Sequence, residues 1–131
     1  MQFQINKEKV LIVDFGSQLT KLIARRIRDL GVYSEISTPK NILKIKDFDK
    51  VKGIILSGGP STVTKKNFQR IPNKIFLKGI PILGICYGLQ LIAKVYGGKI
   101  KSSNNKREFG RAILYKKNNS QLTKKFLNSK K

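Results

Sequence analysis

The chain has 131 residues, enough for one domain with a real core, and a net charge of +21 from 28 basic and 7 acidic side chains. One cysteine excludes an internal disulfide, the lack of histidine excludes a His-dependent site built from these residues alone, and no apolar run nears the roughly 18 residues of a membrane span. A soluble cytoplasmic protein without membrane contact is therefore expected. The charge invites nucleic acid as a partner, since Lys and Arg neutralise phosphates. However, 22 of the 28 basic residues are lysines, and Lys, Ile and Asn fill 48 positions, a bias of composition that weighs against that partner.

Val10 to Phe15 (VLIVDF) form an apolar, β-branched run stopped at Asp14 and Gly16, which predicts a buried strand. Leu19, Leu22, Ile23, Ile27 and Leu30 then recur at helical spacing, with Ser17 placed to cap the start and Gly31 the end. Residues 32–37 (VYSEIS) predict a second strand, and 53–60 (GIILSGGP) a third that runs into two glycines and a proline. A polar connection with Asp47 and Asp49 lies between them. Residues 72–78 predict a short helix with Pro72 at its first position. PILGIC gives strand four, and residues 87–98 a helix with Leu89, Ile92, Ala93 and Tyr96 on its inner face, ended by Gly97 and Gly98. Residues 99–103 and 111–116 are candidate strands, and Ser120 to Asn128 an amphipathic segment.

Strands alternating with helices, with apolar runs in strands one, three and four, imply an α/β fold: three layers around a mostly parallel, doubly wound sheet. Ligands of such sheets gather at the carboxyl ends of the strands, which here carry DFGSQ, SGGP and GICYG on one rim.

Gly84-Ile85-Cys86-Tyr87-Gly88 has the G-x-C-x-G spacing of a nucleophile elbow, with a strand before and a helix after. The N–H groups and positive end of that helix would stabilise negative charge on the Cys86 sulfur. An isolated cysteine is more often a core filler. The strand-turn-helix context favours the nucleophile instead. Ser57-Gly58-Gly59-Pro60 could be a plain turn, but beside an elbow the Gly59 N–H and the Tyr87 N–H form the pair of donors that an oxyanion needs. The DFG triplet taken alone is uninformative.

Together, VLIVDFGSQLTKLIARRIRDLGVYSEI, GIILSGGPSTV, GIPILGICYGLQLIA and NNKREFGRA resemble the class I (triad type) glutamine amidotransferases, from about Val10 to Ala112. DFGSQ, Tyr87 after the cysteine and REFG point within that class to the amidotransferase domain of the GMP synthase family. The resemblance implies a partial amidotransferase domain over 10–131 behind an extension of residues 1–9, truncated at its C-terminal side. It also implies Cys86 as nucleophile, Gly59 and Tyr87 as oxyanion-hole donors, and Gly58 and Gln90 at the substrate glutamine. No metal is implied in this chain. ATP and Mg2+ would belong to a separate synthetase domain or subunit, which uses the ammonia to aminate XMP to GMP. The family places its triad His and Glu downstream in a His-Pro-Glu segment that these residues do not contain, so the chain alone is expected to have little or no glutaminase activity. The alternative is a non-catalytic glutamine-binding or regulatory protein of the same fold. Arg107 to Gly110 match the family without a role that chemistry assigns.

Overall fold

The computed structural model describes residues 7–60, 62–64, 66–101, 111–115 and 117–124. They fall in two compact units, Met1–Lys101 and Ser102–Lys131. The first unit holds β1 (Lys9–Val13), α1 (Thr20–Asp29), β2 (Tyr33–Ser37), β3 (Val51–Leu56), α2 (Asn73–Phe76), β4 (Ile82–Gly84) and α3 (Tyr87–Val95), with 3-10 turns at Ile42–Lys44 and Phe48–Lys50. All four strands run parallel in the order β2-β1-β3-β4, so the chain winds outward in both directions from β1 and β3.

Register sorts the side chains between two faces. Leu11 lies opposite Ile54, and Val13 opposite Leu56. With Phe15, Ile42, Ile75, Tyr87 and Leu91 they form the main core, on the face that α3 covers. Ile12, opposite Ile36 and Ile55, belongs to the other face. There α1 packs on β1 and β2, and the Ser34 hydroxyl donates to the Ala24 carbonyl at 2.8 Å. Helices on both sides of a parallel sheet make the three expected layers.

Both long helices turn a different side inward from the one their leucines suggest. In α1 the buried residues are Thr20 and Ala24, while Leu19, Leu22 and Leu30 are exposed. Small side chains let the helix sit close to the sheet, which leaves the long ones at the margin. In α3 the buried residues are Tyr87, Gly88 and Leu91, with the expected Ile92 packed against the core beside them, while Leu89 and Tyr96 are exposed. The elbow sets that helix's rotation, as described below. Pro72 precedes α2 as its cap, with ψ of 136°, and is not its first helical residue. Ser17 acts two residues before the α1 cap: its Oγ accepts the Leu19 N–H at 3.0 Å, and Leu19 is the N-cap. Gly31, with φ of +84°, ends α1 as expected, and Gly97, with φ of +82°, ends α3.

The candidate strands at 99–103 and 111–116 are not found among their described residues, 99–101 and 111–115, which are irregular. In the second unit, residues 111–115 are exposed, and a turn at 121–124 is closed by Lys124 N–H to the Ser120 carbonyl at 3.0 Å. Arg107 to Gly110 and residues 125–128 of the expected amphipathic segment lie outside the described residues. No helix among the described residues is long and apolar enough to cross a membrane.

One of the lysines is structural. Lys9, only 4% exposed, donates to Glu35 Oε2 at 2.5 Å and to Asp47 Oδ1 at 2.8 Å, tying β1 to β2 and to the polar connection. Burial alone would lower the Lys9 pKa, but its hydrogen bonds to Asp47 and Glu35 and their charges outweigh burial and raise it. The Lys9 hydrogen bond holds the Asp47 carboxyl below its ordinary value. The Asp47 contribution to stability is therefore complete above its unfolded pKa of about 3.9 and lost as pH falls through the depressed folded value. The Lys9 contribution is complete below about 10.4 and lost as pH rises through the raised one. Asp47→Asn is expected to lower the urea midpoint at pH 7, with the gap to the parent closing as pH falls below about 4. Equal gaps at pH 7 and pH 2.5 would contradict this ion pair.

Candidate active site

The carboxyl ends of β1, β3 and β4 bring three turns together, and the chemistry of each turn follows from its backbone. Between β4 and α3, Cys86 has φ of 52° and ψ of −112°, the only positive φ outside glycine among the described residues. An L side chain adopts that conformation at a cost of about 1–3 kcal/mol, and such strain collects at functional positions. The flanking glycines serve close approach and not the positive φ. A Cβ on Gly88 would lie 2.0 Å from the Leu56 carbonyl oxygen, and one on Gly84 would lie 2.6 Å from the Leu89 nitrogen. α3 thus begins hard against the end of β3, with Gly88 inward, which fixes Leu91 as the next buried position.

The Cys86 thiol is free and exposed at the start of α3. Gly58 stands beside it, since a Cβ there would be 3.4 Å from Cys86 Cβ and 3.7 Å from Ser17 Oγ. Gly59 follows against the first turn, where a Cβ would overlap the Phe15 carbonyl oxygen at 2.3 Å. Among the described residues neither the Gly59 N–H nor the Tyr87 N–H has an acceptor. A pair of N–H groups without protein acceptors is what an oxyanion-binding site requires. Gln90 is half-buried one turn into α3, where its N–H donates to the Cys86 carbonyl at 3.2 Å and its side-chain Oε1 accepts from Thr62 Oγ1 at 3.2 Å. All five site residues expected from the sequence, Cys86, Gly58, Gly59, Tyr87 and Gln90, therefore belong to the same rim.

Beneath them runs a hydrogen-bond chain that sequence reasoning missed. Asp14 Oδ1 accepts the Gly16 N–H at 2.8 Å and the Thr20 hydroxyl at 3.0 Å. With its proton given to Asp14, Thr20 Oγ1 accepts from Ser57 Oγ at 2.9 Å. The start of α1 is thereby tied to the residue before Gly58, and the DFG triplet acquires a role in holding the double-glycine turn. The spacing Asp-x-Gly, an Asx turn, was the available signal. The Tyr87 ring packs on Phe15 at 4.9 Å, and its hydroxyl donates to the Gln69 carbonyl at 2.5 Å. Burial pushes that hydroxyl's pKa up.

A cavity of about 530 Å³ between α2 and α3, lined by Phe68, Arg70, Phe76, Lys94 and Tyr96 among others, does not include Cys86. Among the described residues no group of three or more His, Cys, Asp or Glu side chains gathers to hold a metal ion.

Known proteins match this arrangement. The family model for Glutamine amidotransferase class-I matches residues 11–131. A protein of Brachyspira hyodysenteriae named GMP synthase [glutamine-hydrolyzing] is 51% identical over 124 residues, covering 94% of this chain and 24% of that protein. One of the same name from Escherichia fergusonii is 46% identical over 125 residues, covering 95% and 23%. The chain thus spans about a quarter of the length of the curated relatives it matches. Among solved structures, a Thermoplasma acidophilum protein described as a candidate GMP synthase subunit superposes with a TM-score of 0.54 at 33% identity, over 70% of this chain and 46% of that one. Because the family model covers nearly all of the sequence, the chain belongs to the class I glutamine amidotransferases.

Proposed function

We propose that this chain carries the nucleophile of a glutamine-hydrolysing site whose ammonia aminates XMP to GMP in guanine nucleotide synthesis. The observation that supports it most is the strained Cys86 elbow set beside Gly58 and Gly59. In this reading the Cys86 sulfur attacks the side-chain amide carbon of glutamine, and the carbonyl oxygen takes the electron pair between the Gly59 and Tyr87 N–H groups. The C–N bond then breaks, and ammonia leaves with the proton lost by the thiol. Water cleaves the thioester to glutamate and frees the sulfur. Gly58 leaves room for the substrate beside the thiol, and Gln90 supplies side-chain hydrogen bonding. A synthetase domain or subunit supplies the ATP, Mg2+ and XMP sites, and a free thiol suits the reducing cytoplasm.

The 131 residues contain no histidine to carry the proton between sulfur and nitrogen. Loss of one triad member costs about 10³-fold or more in rate. The expected results are one covalent adduct at Cys86 from a chloroketone analogue of glutamine, none in Cys86→Ser, and ammonia release from glutamine at background. Peptide mapping and an ammonia assay decide it. An adduct elsewhere would overturn the assignment of Cys86, and Cys86-dependent turnover at the rate of a complete triad enzyme would overturn the need for a further base.

A further inference from the structure

Gln90 can serve the substrate only if its amide presents the correct end, because its oxygen can only accept and its NH2 can only donate. The loop after the double glycine provides its partner. Thr62 Oγ1 lies 3.2 Å from Gln90 Oε1, 3.1 Å from Thr64 Oγ1 and 3.4 Å from the Thr64 backbone nitrogen. The Thr64 N–H donates to Thr62 Oγ1, and in the contact between the two hydroxyls either oxygen can be the donor. In the arrangement the structure shows, Thr62 gives its own proton to Gln90 Oε1, and its remaining lone pair takes the Thr64 hydroxyl proton. A flipped Gln90 amide would require that hydroxyl pair to reverse, so the amide and the Thr62–Thr64 pair are set together.

We propose that Thr62 is a positioning residue for the glutamine site: it holds Gln90 Oε1 so that the Gln90 NH2 remains the donor offered to the amino-acid substrate beside Cys86. The inference rests on the glutamine reading of the elbow. It adds a residue outside the elbow and the double glycine, and a function for the loop at 62–64. Because Thr62 acts through Gln90 and touches no reacting atom, its removal should weaken recognition of the amino-acid group and leave the thiol's own reactivity alone.

The test compares second-order rates of Cys86 alkylation in the 131-residue chain. In each case the sulfur displaces a halide, forming a C–S bond. One reagent is the chloroketone analogue of glutamine; the other is iodoacetamide, which lacks the amino-acid group. Thr62→Val keeps the shape and removes the hydroxyl, and it is expected to lower the analogue rate about tenfold, the size of one hydrogen bond to a substrate-binding group. Thr62→Ser keeps the hydroxyl and should stay within about twofold of the parent, inside the scatter of a surface substitution. The iodoacetamide rate should be equal in all three, and matching circular dichroism spectra report that each variant is folded. A Thr62→Val chain with the parent's ratio of the two rates, or Val and Ser variants that fall alike, would overturn the positioning role. A parent chain that shows no preference for the analogue would overturn the glutamine reading itself, and the role of Thr62 with it.

Discussion

Gly88→Ala is expected to destabilise the chain by at least about 3 kcal/mol and to lower Tm by roughly 10 °C or more, as backbone overlap in a packed interior does. The added Cβ would lie 2.0 Å from the Leu56 carbonyl oxygen and 2.6 Å from the Leu56 carbonyl carbon. No side-chain rotation relieves a clash with main chain. Either α3 lifts from β3, which uncovers Leu56 and Leu91, or β3 shifts against β1 and breaks the Leu11–Ile54 register. Gly97→Ala is the control. Gly97 also has no side chain to lose, but nothing lies within 4 Å of a Cβ there, so only its φ of +82° resists the change, at about 1 kcal/mol. Thermal unfolding followed by circular dichroism separates the two variants. Equal losses would mean that the close approach of α3 to β3 is not what requires glycine at 88.

Cys86→Gly is expected to do the opposite to stability and to end all reaction at the elbow. Glycine adopts φ of 52° and ψ of −112° without the steric conflict that any Cβ brings. Cys86 is exposed, so removing its side chain leaves no cavity to offset that relief. The net gain is about 1 kcal/mol after the extra freedom of glycine in the unfolded chain, or a few degrees in Tm. Cys86→Ala keeps the Cβ and should gain nothing. A chain that becomes more stable when the Cys86 side chain is removed is one that holds that thiol in a costly conformation, as the proposed nucleophile role would require. If Gly and Ala at position 86 gave the same Tm, the strain would not be real.

The parallel sheet and the shared rim were legible because they rest on runs that burial dictates: VLIVDF, GIILSGG and PILGIC are apolar on both sides, as strands covered on two faces must be. Helix faces were not legible in the same way. Counting leucines placed Leu22 and Leu89 inward, but the sheet took Thr20, Ala24 and Gly88, since how closely a helix approaches depends on its small residues and on the turn that starts it. Lys9 hid among the 22 lysines because its partners, Glu35 and Asp47, lie 26 and 38 residues away. Asp14, Thr20 and Ser57 were likewise ordinary polar residues until the parallel pairing of β1 with β3 brought them together. For the elbow the glycine spacing was readable, whereas the placing of its strain on Cys86 itself required the backbone angles.

The most direct test of the central claim is whether glutamine protects Cys86. The rate of Cys86 carboxamidomethylation by iodoacetamide should fall as glutamine is added and reach a plateau at saturation, because in the proposed site bound glutamine would place its amide over the sulfur. Asparagine, one methylene shorter, should protect far less at equal concentration. If glutamine and asparagine leave the rate equally unchanged, Cys86 is not the nucleophile of a glutamine site.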